Sequence, residues 1–269
     1  MSSLTKGWFK VNEVANKVWR IDDNGEDAIY LIEGKEKSLL IDTGWGIGNL
    51  SELVSSLTSY PLIVINTHCH PDHVCANHQF DHIYIHGDDA SMMKGNFRKE
   101  ARLWMLDNII KSPLPYGFKK DDWINASLKD ISYLAKNQQF DLGGRIISVI
   151  ETPGHTPGSI CLFDESEGLL FAGDSIEEGD IWLHCEECLS LNKYFNSIKG
   201  LSKIANKIKY IFPSHGNAPI APRIIIDMAN GIEKIVSGKN IGCKIETFFG
   251  KGSYCKYDSF GIIYRDNNI

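Results

Sequence analysis

The sequence lacks an apolar run long enough to cross a membrane. A membrane-spanning helix needs about 20 consecutive apolar residues, and no uninterrupted apolar stretch of this chain approaches that length. Residues 1–7 also lack the apolar core of a secretory signal. We therefore expect a soluble, cytoplasmic protein without a membrane partner.

A disulfide framework is missing as well. Seven cysteines are scattered along 269 residues, and an odd number without a short repeating spacing favours a reducing compartment. Cys185 and Cys188 have the spacing of a redox pair, but no second pair completes a four-ligand site. We interpret this pair as coincidental, and Cys69 and Cys75 as small buried side chains, with a functional thiol as the alternative.

Strong charge of one sign and a dividing linker are also absent. The chain has 28 basic and 34 acidic residues, a formal charge of −6, and no long basic stripe, so we expect a small-molecule substrate and no nucleic acid partner.

No Pro-, Gly- or Ser-rich linker interrupts the sequence, and a chain of this length can bury one large core. We predict a single domain over residues 1–269, with a lid or insert at about residues 95–130.

Hydrophobic periodicity predicts an α/β protein with two strand-rich halves of similar plan. In the first half, strands are predicted at 18–21, 28–33, 38–42, 62–65 and 82–86, and a helix at 49–57. In the second half, strands are predicted at 145–151, 159–163, 169–172 and 210–212, helices at 191–208 and 224–236, and a closing pair of strands within 243–264.

The segment from residue 97 to residue 123 is less regular. Its apolar spacing predicts a helix that carries Ala101, Trp104 and Met105, followed by Pro113 and Pro115. One interpretation is a lid or a pocket wall. The other, which helical apolar spacing favours, is packing against the core or against a second copy in a homodimer.

What the chain does contain is a dense group of metal-ligand side chains. His68, His70, Asp72 and His73 fall within six residues, directly after the apolar run at 62–65. Zn²⁺ accepts imidazole and carboxylate ligands, and a set without thiolates leaves positions open for water. In an extended segment the side chains of His68 and His70 point to the same face, while those of the adjacent residues Asp72 and His73 point in different directions. The group therefore predicts a catalytic metal site, although histidines also cluster by chance in exposed loops.

Three more candidate ligands follow apolar segments later in the chain. His155 lies in Thr-Pro-Gly-His-Thr-Pro-Gly-Ser, His215 lies in Phe-Pro-Ser-His-Gly, and Asp174 ends the run Leu-Leu-Phe-Ala-Gly-Asp. Gly173 lets the backbone approach closely at this point. Each residue is therefore predicted at a strand-end turn, where the Asp174 carboxylate could bridge two ions.

In this order the residues resemble the metallo-β-lactamase superfamily, whose pattern is His-x-His-x-Asp-His, a later His, a bridging Asp and a final His. The resemblance spans about residues 19–216 and implies a four-layer αβ/βα sandwich of the metallo-β-lactamase type. It implies that one ion is held by His68, His70 and His155, a second by Asp72, His73 and His215, and both by Asp174. Asp42, in an Asp-Thr-Gly turn, matches the residue that supports the site from behind the ligands. Residues 74–77 depart from the glycines common in the family, which affects the pocket wall.

The resemblance implies a binuclear metallo-hydrolase with two divalent ions, zinc before iron or manganese. A hydroxide held by the ions and oriented by Asp72 would attack an ester-type carbonyl without a Ser or Cys nucleophile. The segments at 158–164, 173–174 and 213–216 are similar to a branch that includes acyl-coenzyme A thioester hydrolases. Thioester hydrolysis, acyl-coenzyme A or glyoxalase II-like, is therefore expected before lactone hydrolysis.

Two other classes stay open. Persulfide dioxygenase relatives use a single Fe²⁺ held by two His and one Asp, which His68, His155 and Asp174 would match. A non-enzymatic metal-binding protein is the third alternative. The remaining histidines, His78, His82, His86 and His184, are interpreted as surface or core residues.

Overall fold

The computed structural model describes residues 4–269 and divides them into two units. The N-terminal unit runs to Ala135 and includes Phe140–Ile146, and the C-terminal unit comprises Lys136–Gln139 and Ile147–Ile269. The prediction that the chain begins without a secretory signal falls partly on residues 1–3, which lie outside the described residues. Among the helices of residues 4–269, none combines the length and the apolar character needed to cross a bilayer. The single-domain assignment stays a prediction.

The N-terminal unit is a sheet with helices in its connections. Its elements are β1 (Leu4–Lys6), β2 (Phe9–Ala15), β3 (Val18–Asp23), β4 (Ala28–Glu33), β5 (Ser38–Ile41), α1 (Leu50–Leu57), β6 (Leu62–Ile65), α2 (Pro71–Val74), β7 (His82–Ile85), α3 (Ala90–Gly95), α4 (Lys99–Asn108), α5 (Lys120–Ile124) and β8 (Asp130–Tyr133). Among the described residues of this unit, eight strands form one sheet in the order β1 to β8. Antiparallel pairing links β1 to β5, and parallel pairing links β5 to β8.

Parallel pairing decides where the candidate ligands of this unit lie. Parallel neighbours need a crossover connection, which α1 provides between β5 and β6 by burying Leu50, Leu53 and Val54. The carboxyl ends of β5, β6 and β7 consequently lie at one edge of the sheet. Asp42 follows β5 and the histidine cluster follows β6, so both emerge at this edge.

The C-terminal unit contains two sheets in its described residues. Its elements are β11 (Ile160–Asp164), β12 (Leu169–Gly173), β13 (Gly179–Leu183), α6 (Leu191–Ser202), β14 (Tyr210–Pro213), α7 (Arg223–Val236), β15 (Cys243–Thr247), β16 (Gly250–Lys256) and β17 (Phe260–Tyr264), together with β9 (Gln139–Asp141) and β10 (Ile146–Glu151), of which residues 140–141 and 146 are assigned to the N-terminal unit. One sheet has the order β14-β12-β11-β10-β9 and the other the order β13-β17-β16-β15. The core of the unit is formed by apolar residues of both sheets and of α6 and α7.

The α/β class and the predicted strands and helices of both halves are confirmed, with three corrections. The helix predicted at 191–208 ends at Ser202 and a 3₁₀ turn follows, so its extent was wrong. The region 243–264 holds three strands rather than a pair, because the chain turns at Phe248 and Phe249 before Gly250, whose φ of 140° suits glycine. Strands β1, β2, β8, β9 and β13 were not predicted, since they are short or carry exposed polar residues that weaken the alternation.

The segment at about residues 95–130 packs within the N-terminal unit through a buried arginine. The Arg102 guanidinium donates hydrogen bonds to the Trp123 carbonyl at 2.6 Å and to the Cys75 carbonyl at 2.9 Å, and it lies 4.2 Å from the Phe97 ring centre. Met105 and Trp123 join an apolar cluster with Trp45 and Cys75, whereas the Trp104 side chain is 49% exposed, so packing on the core accounts for only part of the predicted apolar stripe. The helix is confirmed, and the lid stays a prediction.

Candidate metal centre

Asp42 organises the part of the site that belongs to the N-terminal unit. Its backbone has a φ of 63°, a left-handed conformation that Asp tolerates better than most residues. The buried carboxylate accepts hydrogen bonds from the Thr67 backbone N–H and from the Thr67 hydroxyl, both at 2.7 Å, and from His73 Nδ1 at 3.0 Å. One side chain thereby ties the end of β5 to the histidine cluster that follows β6.

The backbone of His73 is held by three polar residues. Its carbonyl accepts hydrogen bonds from the Thr43 backbone N–H at 2.9 Å, the Thr43 hydroxyl at 3.1 Å and the Asn66 side-chain amide at 3.0 Å. The Asn77 amide exchanges hydrogen bonds with Asn66, and its oxygen, 2.9 Å from the Thr43 hydroxyl, shares the single proton of that hydroxyl with the His73 carbonyl. Asn77, which departs from the glycine-rich family pattern, therefore supports His73 indirectly, through Thr43 and Asn66.

The hydrogen bonds at Nδ1 determine which nitrogen each histidine offers to a metal. The Asp42 carboxylate can only accept, so His73 Nδ1 carries the proton and Nε2 keeps its lone pair. Thr67 donates its hydroxyl proton to Asp42, so His68 Nδ1, 3.1 Å from the Thr67 oxygen, donates in turn. Metal-ligating histidines are held in the same way in proteins generally.

Asp72, His70 and the backbone between the histidines complete this group. The Cys69 N–H donates to the Asp89 carboxylate at 3.0 Å, and the Cys69 carbonyl accepts from the Asn96 amide at 2.7 Å. Ring centres of His68 and His70 lie 4.7 Å apart, and those of His68 and His73 lie 4.0 Å apart. Asp72, at the start of α2, has an oxygen 3.6 Å from His73 Nε2 and a side chain that is 21% exposed.

His155 lies in the loop between β10 and β11 of the C-terminal unit. A Cβ at Gly154 would lie 2.5 Å from Cδ2 of the Tyr194 ring, so only glycine allows the loop to pack this closely on α6. His155 Nδ1 lies 2.8 Å from the Trp182 carbonyl, a pure acceptor. His155 Nδ1 therefore carries the proton, and its Nε2 keeps the lone pair that a metal could accept, as in His68 and His73.

Asp174 and His215 follow two parallel strands, β12 and β14, so they leave the sheet at the same edge. The register shifts between Phe171 and Gly173, and Gly173 has a φ of 51°, which turns Asp174 out of the strand. The same carboxylate oxygen, Asp174 Oδ2, lies 3.5 Å from His155 Nε2 and 3.4 Å from His215 Nε2. One oxygen therefore stands between two imidazole nitrogens.

These nitrogen–oxygen distances fit shared metal ligation. Hydrogen bonds of this type are about 2.7–3.2 Å long, and two ligands at about 2.1 Å from one tetrahedral ion are separated by about 3.4 Å. The separations of 3.4, 3.5 and 3.6 Å lie close to the second value. The donors are imidazole and carboxylate groups without thiolates, which suits a catalytic zinc site with open positions.

Histidines outside the predicted metal set each have a local partner. Burial lowers the pKa of His78 to about 4, so this ring is neutral at physiological pH. The partners are the Cys75 carbonyl for His78, the Ser132 hydroxyl for His82, the Asp88 backbone N–H for His86 and the Thr247 hydroxyl for His184. These contacts support the interpretation that the four residues are structural.

Buried thiols account for most of the cysteines. Cys243 is exposed and the other six are buried. Burial raises the pKa of Cys75 to about 12, and contact with the Cys185 thiol together with burial raises the pKa of Cys188. A raised pKa keeps a thiol protonated at neutral pH, which supports the interpretation of Cys75 as a small buried side chain and of Cys188 as part of a coincidental pair.

Within each unit, the structure brings the predicted site residues together. The N-terminal unit groups Asp42, His68, His70, Asp72 and His73, and the C-terminal unit groups His155, Asp174 and His215. The sequence interpretation missed the residues that hold them, which are Thr67, Asn66, Asn77, Asp89, Asn96 and Trp182. The adjacency of Asn66 and Thr67 to the cluster was an available signal, whereas Trp182 acts through its backbone and has none.

Comparisons with known proteins cover the whole span of these residues. The Metallo-beta-lactamase superfamily profile matches residues 25–215. The acyl-coenzyme A thioesterase MBLAC2 of Homo sapiens is 28% identical over 264 residues, which cover 91% of this chain and 90% of the human protein. A probable metallo-hydrolase of Methanocaldococcus jannaschii is 31% identical, covering 70% of this chain and 86% of its own. A solved metallo-beta-lactamase from Pontibacter korlensis has a TM-score of 0.57 at 18% identity, covering 84% of this chain and 99% of its own.

Proposed function

Because the chain belongs to the metallo-beta-lactamase superfamily and is a metallo-hydrolase with the fold of that family, we propose that it hydrolyses an acyl-coenzyme A or similar thioester with two divalent metal ions. The α/β fold predicted from the sequence is therefore the metallo-beta-lactamase fold. Similarity to the human acyl-coenzyme A thioesterase extends over 91% of the chain, which supports the thioester as substrate.

The proposed site holds two ions, zinc before iron or manganese. The first ion is held by His68, His70 and His155, the second by Asp72, His73 and His215, and Asp174 bridges them. The observation that carries the proposal is the position of Asp174 Oδ2, at 3.5 Å from His155 Nε2 and 3.4 Å from His215 Nε2. A single oxygen shared by two imidazoles suits a ligand common to two ions.

When bound, the two ions supply Lewis acidity and lower the pKa of a coordinated water to about 7. The protein's own residues orient the reactants. Asp72 is 21% exposed at the start of α2, so its carboxylate can accept a hydrogen bond from the attacking water. Asp42 and Thr67 hold His68 and His73 with Nε2 presented, and the Trp182 carbonyl does the same for His155.

The chemistry of the leaving group favours a thioester over an amide. A thiol has a pKa of about 8.5, so it can depart as a thiolate without prior protonation. In the proposed site the seven His and Asp side chains all serve as metal ligands. None of them is therefore assigned as the general acid that would protonate a leaving group. A site of this kind is matched to a good leaving group.

Metal analysis combined with a substrate panel tests the proposal. We expect the purified full-length chain to hold two zinc equivalents and to release thiol from octanoyl-coenzyme A faster than it opens an acyl-homoserine lactone or cleaves a phosphodiester. His82→Ala, which removes an exposed histidine that bonds Ser132, is the control and should retain both properties. One iron equivalent with oxygen consumption on glutathione persulfide, or preference for the lactone, would replace this proposal with one of the alternatives.

A further inference from the structure

Three aromatic side chains form an exposed group on the C-terminal unit, here called the aromatic patch. Trp182 on β13 is 38% exposed, and Phe248 and Phe249, at the turn between β15 and β16, are 65% and 43% exposed. The ring centres of Trp182 and Phe249 lie 5.1 Å apart, as do those of Phe248 and Phe249. Exposed aromatic groups of this kind mark interaction sites more often than scattered apolar residues do.

The turn that carries the two phenylalanines is anchored to the strand that carries Trp182. His184 Nε2 lies 2.7 Å from the Thr247 hydroxyl oxygen. That hydroxyl donates to the Gly250 carbonyl at 3.1 Å, and its oxygen accepts from the Phe249 backbone N–H at 3.1 Å. These contacts hold the aromatic patch in place before any ligand arrives, which lowers the entropic cost of binding.

The aromatic patch begins at a residue that contacts a proposed metal ligand. The Trp182 carbonyl is the oxygen that lies 2.8 Å from His155 Nδ1. Strand β13 pairs with β17, where Trp182 lies opposite Ile263, and it is the edge strand of its sheet. Trp182 therefore links the two features within one residue, since its carbonyl orients His155 and its side chain belongs to the aromatic patch.

The charges and ring angles around the aromatic patch favour an uncharged, flexible ligand. Two lysines of the hairpin are paired with carboxylates, Lys244 with Asp266 at 2.5 Å and Lys251 with Glu246 at 3.6 Å, so these two pairs carry no net charge. The planes of Trp182 and Phe249 meet at 48° and those of Phe248 and Phe249 at 85°. Parallel faces that would clamp a planar base are absent from this trio.

We propose that the aromatic patch binds the acyl chain of the substrate and gives the enzyme a preference for longer chains. This inference rests on the proposed thioester hydrolysis. Each methylene group that leaves water for an apolar surface contributes about fourfold to binding, so two or three methylenes on the patch give a selectivity of tenfold or more.

The test compares the wild-type enzyme with the double variant Phe248→Ser/Phe249→Ser on acyl-coenzyme A substrates from acetyl to dodecanoyl. We expect the kcat/KM for acetyl-coenzyme A to stay unchanged and that for dodecanoyl-coenzyme A to fall about tenfold or more, through KM. Tyr210→Ser, which removes a tyrosine that is 51% exposed on β14, is the matched control and should keep the wild-type chain-length profile. Thermal unfolding checks that both variants fold.

A direct binding measurement separates this inference from the proposed function. A non-hydrolysable dodecyl thioether of coenzyme A should bind the double variant at least about tenfold more weakly than it binds the wild type, while free coenzyme A should bind both equally. If the wild type hydrolyses no thioester but this difference persists, the patch stands and the proposed reaction fails. An unchanged chain-length profile in an active double variant overturns the inference. The inference also fails if the double variant differs from the wild type only in its binding of free coenzyme A, or only in its sedimentation with phosphatidylcholine vesicles.

Discussion

Replacement of Asp174 by Asn is expected to lower the kcat/KM for thioester hydrolysis by about 10³-fold. The carboxylate has one oxygen 3.5 Å from His155 Nε2 and 3.4 Å from His215 Nε2, and an uncharged amide cannot replace a bridging anion between two cations. Loss of several kcal/mol of charge stabilisation corresponds to this factor at about 1.4 kcal/mol per tenfold. The measurement is thiol release from octanoyl-coenzyme A, with the zinc content of each preparation determined alongside.

The zinc content should fall together with the rate in the Asp174 variant, from two equivalents to one or fewer. Asp227→Asn makes the same chemical change on α7, where Asp227 pairs with Arg223 at the surface, and it should leave rate and zinc content at wild-type values. Far-UV circular dichroism confirms that both variants fold. Full activity with two zinc equivalents in the Asp174 variant would contradict a bridging role.

Replacement of Asp42 by Ala is expected to weaken zinc binding about 10- to 100-fold and to lower the free energy of unfolding by about 3–5 kcal/mol. The buried carboxylate accepts three hydrogen bonds, two from Thr67 and one from His73, and Ala leaves all three donors without an acceptor. The φ of 63° adds strain, because Ala is less stable than Asp in the left-handed region. Urea unfolding of the metal-free protein and zinc competition with a chelator measure the two effects.

Asp42→Asn separates the two roles of this residue. Asn tolerates the left-handed backbone and its carbonyl oxygen can still accept from the Thr67 N–H, so it should recover part of the stability that Ala loses. The Asn side-chain N–H₂ group would face His73 Nδ1, which is also a donor. His73 would then lose the acceptor that orients its ring, so zinc binding should stay weak. Asp81→Ala, at an exposed carboxylate paired with Lys129, is the control for charge removal. Wild-type zinc affinity in both Asp42 variants would show that the carboxylate does not position His73.

The proposed ligands were recognisable in the sequence because they follow apolar strands and their side chains are chemically distinctive. The cluster after β6 and the isolated Asp174 after β12 could be recognised from residue type and spacing, and the structure places Asp42 against Thr67 and His73 as a supporting residue should lie. The order of these residues also identified the family, and with it the fold.

The residues that position the ligands could not be predicted in the same way. Trp182 supports His155 through its backbone carbonyl. Every residue has such a carbonyl, so the residue type gives no indication of this role. Asp89 and Asn96 hold the Cys69 backbone from segments distant in sequence, so their role depends on tertiary packing. Strand β13, which carries Trp182, starts with exposed Gly179 and Asp180 and lacks a clear alternation.

Crystals grown with zinc and measured at the zinc absorption edge test the central claim most directly, since anomalous scattering locates the ions and their ligands. The account predicts two peaks, one within about 2.2 Å of the ligating nitrogens of His68, His70 and His155 and the other near those of His73 and His215 and an oxygen of Asp72. Asp174 should contact both. Peaks at other side chains, or no zinc at these residues, would contradict the account.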